Sequence, residues 1–328
     1  MSSVSPERPC AAWTGRDLFR GQVWPSLTVI LRTGGCAWSR CLMCSYRHER
    51  YRSGSPEDLI RGIKAQVSWV SERFPPGTYD LVKIYTSGSL FDRNEVPKEA
   101  LASVAGLCSG KMVVAETRPE YVVRESLEEF TSLIDEGKWK SPLSVAIGLE
   151  TSDDSIREKS IRKGFSFDQY LTAVKEARSA GAGVKTYLLL KPLFLTENEA
   201  IEDMQSSIAA CAAYSDVISM NPCTVQRGTE MERYWRYGAY RPPYLWSVLS
   251  VLLSAGTHIL CDPVGGGYER GPHNCGKCDR EILSAIRSYA TTGDRELLRA
   301  VDETECRCRG EWEYVLAEEM PFCMPLTR

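Results

Sequence analysis

Short apolar runs alternate with stretches of helical periodicity along most of the chain. Six runs rich in β-branched and aliphatic residues predict strands at 27–31, 81–85, 111–115, 143–149, 184–190 and 216–220. Between them, in stretches such as 119–135 and 167–180, apolar residues recur at three and four positions, which predicts helices. Pro119 fits the first turn of one helix and Gly181 the end of another. Together these elements predict an α/β fold of βα units.

The hydrophobic pattern leaves the closure of this sheet open. A doubly wound sheet and an open, partial barrel both suit six successive βα units. The strand rhythm fades after Met220, where the chain becomes rich in Arg, aromatic residues, Gly and Cys. The predicted domains are an N-terminal extension at 1–25, the α/β core at 26–222 and a C-terminal subdomain at 223–328.

Composition narrows the class of protein. The 328 residues are 43% hydrophobic and 25% charged, which is typical of a soluble globular chain. The formal net charge is -3, so a nucleic-acid partner would need a local basic patch. The first residues have no apolar signal region, and the apolar stretch 245–255 is too short to span a bilayer. We therefore expect a cytoplasmic protein without a membrane partner.

Thirteen cysteines are many for such a protein, and an odd number excludes complete pairing into disulfides. Cys36, Cys41 and Cys44 lie on one loop after the first predicted strand, separated by four residues and then two. Three thiolates can hold a [4Fe-4S] cluster and leave one iron open to another ligand. The alternatives are a zinc site that borrows a fourth ligand such as His48, and buried cysteines without a metal.

These cysteines resemble those of the radical S-adenosylmethionine (SAM) superfamily, whose usual spacing is three residues and then two. The resemblance implies a partial (β/α)6 barrel, a [4Fe-4S] cluster and SAM bound at its open iron. It also implies that the Ser87-Gly88-Ser89 turn, which follows the second predicted strand, holds the methionine amino group. Without the resemblance, Ser-Gly-Ser is an ordinary turn that exposes backbone groups.

Charged residues follow the next strands. Glu116 and Glu150 end the third and fourth predicted strands and are candidates to accept hydrogen bonds from ribose hydroxyls or from substrate. The alternative is that each caps the following helix. Arg157 and Lys163 come soon after and are candidates to pair with the SAM carboxylate, or else are solvated helix residues.

A second cysteine set occurs near the C-terminus. Cys275 and Cys278 form one close pair, and Cys306 and Cys308 form another after a helical stretch. Two such pairs predict a metal site with four cysteine ligands. Zinc is the favoured ion. A second Fe–S cluster, no metal, and His273 in place of one thiolate are alternatives.

Five other cysteines are isolated in the sequence, and core packing is the default interpretation for them. They are Cys108, Cys211, Cys223, Cys261 and Cys323.

Longer blocks narrow the resemblance. LRTGGCAW, CLMCSY, YTSGSLFD, AETRPEYV, KPLFLTE and GPHNCGKCD occur in this order between about residues 27 and 310. Together they resemble the radical SAM subunits of archaeosine synthases. The resemblance implies a lyase that cleaves the lysine C–N bond of a lysine-adducted 7-deazaguanine in tRNA and leaves the amidine. It also implies a lysine-transferring partner subunit and an electron donor.

Candidate substrate contacts lie on the later strands and beyond. Lys191 and Asn221 end the fifth and sixth predicted strands, and Arg241 lies in a stretch where Arg and aromatic residues interleave. Such a stretch suits phosphates and unpaired bases, or else forms a helix with inward aromatics and Arg–Glu pairs. The stretch comprises Arg227, Arg233, Tyr234, Trp235, Arg236, Tyr237, Tyr240, Arg241, Tyr244 and Trp246.

Two other functions remain open. Another radical SAM tRNA-modifying enzyme is one, although only Cys10 precedes the cluster loop, whereas a methylthiotransferase should carry three further cysteines there. A non-enzymatic Fe–S or zinc protein that binds RNA is the other. It explains the cysteines but not the Ser-Gly-Ser turn or the carboxylates at the strand ends.

Overall fold

A computed structural model describes residues 7–320. It begins with a hairpin of β1 (Ala11–Phe19) and β2 (Gln22–Ile30), which pair antiparallel. Arg20 and Gly21 form the turn with positive φ angles of 52° and 75°, the geometry that joins two twisted strands tightly. The sequence pattern missed β1, and the first predicted strand covers only the last part of β2.

The strands form one eight-stranded sheet in the order β1 to β8. The pairings β2–β3, β3–β4, β4–β5 and β7–β8 are parallel. All six predicted strands are present, and the three-residue β8 is an addition. This succession confirms the α/β fold of a partial (β/α)6 barrel. The strands after the hairpin are β3 (Leu81–Tyr85), β4 (Met112–Thr117), β5 (Leu143–Glu150), β6 (Gly183–Leu190), β7 (Val217–Pro222) and β8 (Ile259–Cys261).

Helices follow the strands, as the apolar periodicity predicted. The predicted helix at 119–135 is divided: Pro119 starts a 3-10 turn, and the α-helix begins at Arg124. The helix predicted at 167–180 ends at Ser179, just before Gly181 with a φ of +71°. The helices are α1 (Pro56–Arg73), α2 (Lys98–Leu107), α3 (Arg124–Ile134), α4 (Asp154–Ile156), α5 (Phe167–Ser179), α6 (Glu197–Cys211), α7 (Glu230–Arg236), α8 (Leu245–Ser254), α9 (Asp279–Thr292), α10 (Glu296–Asp302) and α11 (Arg307–Glu318).

The chain forms two compact units. The first comprises the described residues of 7–39, together with 46–148 and 168–185; the second comprises 40–45, 149–167 and 186–320. Leu27 and Ile84 are fully buried in the first, and Leu188 and Leu249 in the second. The predicted divisions near residues 25 and 222 remain predictions.

Candidate functional site

Two glycines shape the loop that leads to Cys36 in the first unit. The N–H of Gly34 donates to the carbonyl of Glu95 at 3.0 Å, and a Cβ on Gly34 would lie 2.8 Å from the carbonyl oxygen of Asn94. Gly35 has a φ of +96°, which side chains rarely permit. Cys36 itself is half-buried. The glycines therefore allow the backbone before Cys36 to pack closely against the segment that precedes α2.

The Ser-Gly-Ser turn lies against Cys36. A Cβ on Gly88 would lie 2.7 Å from the Cβ and 2.9 Å from the Sγ of Cys36. Only a glycine permits this approach, because those distances are shorter than van der Waals contact. Ser87 and Ser89 are both buried, and the Oγ of Ser89 lies 2.6 Å from that of Thr117. The predicted turn and the first cysteine are thus in contact.

Glu95 organises this turn, and the sequence pattern gave no signal for it. Its carboxylate accepts the N–H groups of Gly88 and Ser89 at 3.0 and 2.7 Å and the hydroxyl of Thr33 at 2.6 Å. Its side chain is buried. Burial raises the pKa of Glu95, and the hydrogen bonds from Thr33, Ser89 and Thr86 partly offset the rise. One buried carboxylate therefore fixes the turn and the start of the cysteine loop.

Cys41 and Cys44 belong to the second unit. The N–H of Cys44 faces the carbonyl of Cys41 at 3.4 Å, and the N–H of Leu42 donates to Ile161 at 2.9 Å. Leu42 is buried in a hydrophobic cluster, with Val225 among its members. Both cysteines are half-buried and neither is in a disulfide. Leu42 thus anchors the loop between two thiols that are in no disulfide.

Glu150 and Lys163 form an ion pair in the second unit. Their charged atoms lie 2.6 Å apart, and the side chains are 10% and 16% exposed. Glu150 has a φ of +69° at the end of β5, a strained conformation that clusters at functional sites. Asp153, not Glu150, caps α4, so the helix-capping alternative is wrong for Glu150.

Glu116 caps no helix among the described residues, and Arg157 is buried rather than exposed on a helix surface. Glu116 lies inside β4, its carbonyl accepts the N–H of Leu90 at 2.9 Å, and no side chain caps α3. Arg157 is fully buried and donates to the carbonyls of Leu149 and Thr151. The alternative of a solvated surface residue is therefore wrong for Arg157. Its pairing with the SAM carboxylate stays a prediction.

Lys191 is buried in an ion pair, and its contact with substrate stays a prediction. Its side chain is 4% exposed and pairs with Glu197, which is completely buried. It has a φ of +61° immediately after β6. Asn221 is half-buried on β7 and remains a candidate to contact substrate.

In the stretch where Arg and aromatic residues interleave, most of the aromatic side chains named here pack inward, as the helical alternative predicted. Tyr240, Tyr244 and Trp246 are buried. Tyr237, in contrast, is 82% exposed. Arg241 donates to the carbonyls of Pro242 and His273 at 2.8 Å, and its guanidinium lies over the ring of Tyr244. Its contact with substrate stays a prediction.

The arginines on α7 form Arg–Glu pairs, as the helical alternative predicted. Arg233 pairs with Glu230 at 2.9 Å, and Arg236 pairs with Glu232 at 3.0 Å. Arg270 joins Glu232 at 2.6 Å. Hydrogen bonds from Arg270, Gly228 and Arg236 lower the pKa of Glu232 to about 2. These ion pairs neutralise much of the positive charge on this stretch.

The four C-terminal cysteines come together as predicted. Their Sγ atoms all lie within 4.8 Å of one another. The Cys275–Cys306 and Cys278–Cys308 pairs are 3.6 Å apart, and Cys306–Cys308 is 3.4 Å. A tetrahedral ion with Zn–S bonds of about 2.3 Å holds its sulfurs about 3.8 Å apart. The spacing therefore fits one ion shared by four thiolates.

Hydrogen-bond donors surround these thiols. The indole N–H of Trp246 donates to Cys308 at 3.2 Å, and the side-chain amide of Asn274 donates to Cys278 at 3.4 Å. Burial raises the pKa of Cys308 to about 11; for Cys275 burial is outweighed by backbone N–H groups, which lower the pKa to about 7. His273 contacts the carbonyl of Gly271 and is outside the four-cysteine group.

Cys108, Cys211, Cys223 and Cys261 are buried, in keeping with core packing, and Cys323 lies outside the described residues. Among residues 7–320, no helix has both the length and the apolar character that crossing a membrane requires.

The chain is similar to two named archaeal proteins over most of its length. It is 40% identical to archaeosine synthase subunit beta of Methanosarcina acetivorans, across 97% of this chain and 93% of the relative. It is 36% identical to archaeosine synthase subunit beta of Thermococcus kodakarensis, across 93% and 95%. A search against protein-family models gives no match.

Solved structures are more distant. Queuine lyase from Clostridium spiroforme, bound to SAM and queuine, has a TM-score of 0.48 and 19% identity, and the match covers 68% of this chain and 86% of that one. Elp3 of Methanocaldococcus infernus has a TM-score of 0.48 and 14% identity, across 70% and 58%.

Proposed function

The chain belongs to the family of archaeosine synthase subunit beta, and we propose that it is a radical SAM lyase of archaeosine tRNA modification. In this proposal it cleaves the lysine C–N bond of a lysine-adducted 7-deazaguanine and leaves the amidine on the base. The observation that carries the proposal is the 40% identity over nearly the whole of both chains.

The first cysteine set suits a [4Fe-4S] cluster. Cys36, Cys41 and Cys44 would hold it, because they supply, from one loop, three thiols that are in no disulfide. The contact between Gly88 and Cys36 supports this fit, since a Cβ at position 88 would occupy the space beside the Sγ. When bound, the cluster and SAM supply a 5′-deoxyadenosyl radical able to remove hydrogen from an unactivated C–H bond.

The chain's own residues would bind and orient SAM and the substrate. The Ser87–Ser89 turn would receive the methionine amino group, with Glu95 fixing its backbone from beneath. Glu150, held by Lys163 at a strained strand end, and the half-buried Glu116 are the proposed carboxylates for ribose hydroxyls or substrate. Asn221 is the proposed substrate contact. No side chain is assigned as an acid or base.

The test is anaerobic turnover of the reconstituted protein with lysine-modified tRNA. We expect 5′-deoxyadenosine and archaeosine to appear together. Iron and sulfide counts, with an electron paramagnetic resonance spectrum in the presence of SAM, check the cluster separately. If SAM is cleaved but another modified base appears, the enzyme is a different radical SAM tRNA modifier. If SAM neither binds nor is cleaved, the non-enzymatic RNA-binding alternative holds.

Three partners complete the proposal: a second subunit, the tRNA and an electron donor. The relatives are named as beta subunits, which supports a complex with a second subunit that transfers lysine. The tRNA is the proposed substrate, and an electron donor must supply the electron. Co-elution of the two subunits with tRNA in size-exclusion chromatography tests the complex.

Zinc is the proposed occupant of the four-cysteine site. Each thiolate of a four-iron cube binds a different iron, which sets the thiolates farther apart than one shared ion does. Sulfur separations of 3.4 and 3.6 Å therefore favour a single ion. A count of one zinc per chain is expected by mass spectrometry of metals, whereas iron beyond that of the first cluster would contradict this assignment.

A further inference from the structure

Two hydrogen bonds connect the four-cysteine site to the first turn of α8. The indole of Trp246 donates to Cys308, and the side-chain amide of Asn274 donates to Cys278. The amide oxygen of Asn274 in turn accepts the N–H of Leu245 at 2.8 Å. Tyr244, the residue that caps α8, provides no side-chain cap of its own. Asn274 therefore satisfies a helix N–H that would otherwise be left unpaired.

The start of α8 reaches a buried carboxylate, Glu197. The N–H of Tyr244 donates to Glu197 at 2.7 Å, and the hydroxyl of Ser247 donates to the same oxygen. The indole of Trp312, on the helix that starts between Cys306 and Cys308, donates to Ser247 at 2.8 Å. Both pairs of cysteines are thus joined to one carboxylate that has no contact with solvent.

Lys191 provides the positive charge that this carboxylate requires. A buried carboxylate is costly unless it is paired and hydrogen-bonded, and Glu197 has both kinds of partner. The hydroxyl of Tyr240 donates to the carbonyl of Lys191 at 2.9 Å, which fixes its left-handed backbone. A strained residue persists only where its surroundings determine its conformation. Here those surroundings extend back to the four cysteines.

We propose that one zinc ion at the four-cysteine site positions Lys191, at the carboxyl end of β6, through Asn274, Trp246, the start of α8 and Glu197. The inference rests on the proposed zinc ion but not on the radical reaction. The loop with Cys275 and Cys278 and the start of α11 are separate segments, and metal binding supplies the free energy that holds them together. Glu197 is the positioning residue in this proposal, and Lys191 is the residue that it positions.

The test uses acetylation of lysines in the full-length protein, followed by mass spectrometry. A double variant, Cys275→Ser with Cys306→Ser, changes the two more accessible thiols and should lose the zinc. We expect acetylation of Lys191 to rise about tenfold, because the loss of hydrogen bonds to a buried charge increases the open fraction by at least that factor. Lys98, whose side chain is 71% exposed, is the internal control and should not change.

Asn274→Ala tests the hydrogen-bonded path from the cysteines to Lys191 without removing a proposed zinc ligand. It keeps all four thiols, so the zinc count should remain near that of the unaltered protein while acetylation of Lys191 rises. Cys10→Ser, a half-buried cysteine outside the site, should change neither quantity. Unchanged acetylation of Lys191 after zinc loss, or in Asn274→Ala, would overturn the proposal. A wild-type protein that folds and holds no zinc would instead contradict the assigned ion, whether or not tRNA is modified.

Discussion

The two cysteine sets differ in how they are completed. The first supplies three thiols from one loop, and its surroundings are a glycine turn and a buried carboxylate that order backbone. The second brings four thiols from two distant segments to within 4.8 Å, with side-chain donors aimed at the sulfurs. A set of three leaves a coordination position for a reactant, whereas a closed set of four suits a structural ion. The number of thiols, and whether they leave a coordination position open, therefore distinguishes a proposed reactive site from a proposed structural one.

The largest effect should come from breaking the open set. Cys44→Ala is expected to reduce SAM cleavage to background, a loss on the order of 10⁶-fold or more, because the acceleration depends on the bound cluster. The readout is 5′-deoxyadenosine formed under anaerobic conditions. The zinc count should be unchanged, and retained SAM cleavage would exclude the assigned cluster site.

Breaking the closed set should affect stability first. Cys278→Ser removes a buried thiol of the proposed zinc site and should lower the free energy of unfolding by several kcal/mol, part of the roughly 10–16 kcal/mol that zinc supplies to small zinc domains. Thermal unfolding measures this loss of stability, and zinc and iron counts show which metal is lost. Iron in the first set should remain, and parallel loss of both metals would show that the two sets are not independent.

Gly88→Ala tests the contact beside the open set. The added Cβ would lie 2.9 Å from the Sγ of Cys36, so we expect a loss of about 2 kcal/mol in stability and less iron after reconstitution. Gly77→Ala is the matched control, since a Cβ there meets nothing within 4 Å. Equal iron in the two variants would contradict the proposed packing.

Glu95→Gln should have the smallest effect. An amide in place of the carboxylate turns one N–H donor toward the N–H of Gly88 or Ser89, which costs about 1 kcal/mol at neutral pH. The exposed Glu99 provides the control, Glu99→Gln. The expected order of iron content is wild type and control first, then the Glu95 variant.

The pH dependence of Glu95 follows from its raised pKa. The folded protein holds this proton more tightly than the unfolded chain, whose carboxyl titrates near 4.5. The tighter binding of this proton therefore stabilises the folded protein fully below pH 4.5, and this stabilisation is lost as the pH rises through the raised pKa. Unfolding measured between about pH 4 and pH 8 should show this slope in the wild type and less of it in Glu95→Gln. The same slope in both proteins would contradict the assignment.

The sequence predicted the elements whose patterns are local. Buried parallel strands are continuous apolar runs, so all six were found. β1 was missed because most of its residues are exposed or half-buried and it is stabilised by pairing with β2 rather than by a buried face. β8 is only three residues long, too short to show a period.

The sequence by itself determined both cysteine sets, the Ser-Gly-Ser turn and the positions of six strands along the chain, because spacing and apolar pattern are properties of neighbouring residues. The order of the strands in the sheet was decided by the tertiary structure. The tertiary structure alone also decided what surrounds the predicted site residues: Gly88 against Cys36, Glu95 beneath the turn, and Lys191 buried against Glu197. Charged side chains at strand ends have the same local pattern whether they face a ligand or a buried partner. Only packing distinguishes the two, because a buried charge is stable where the fold supplies its counter-charge.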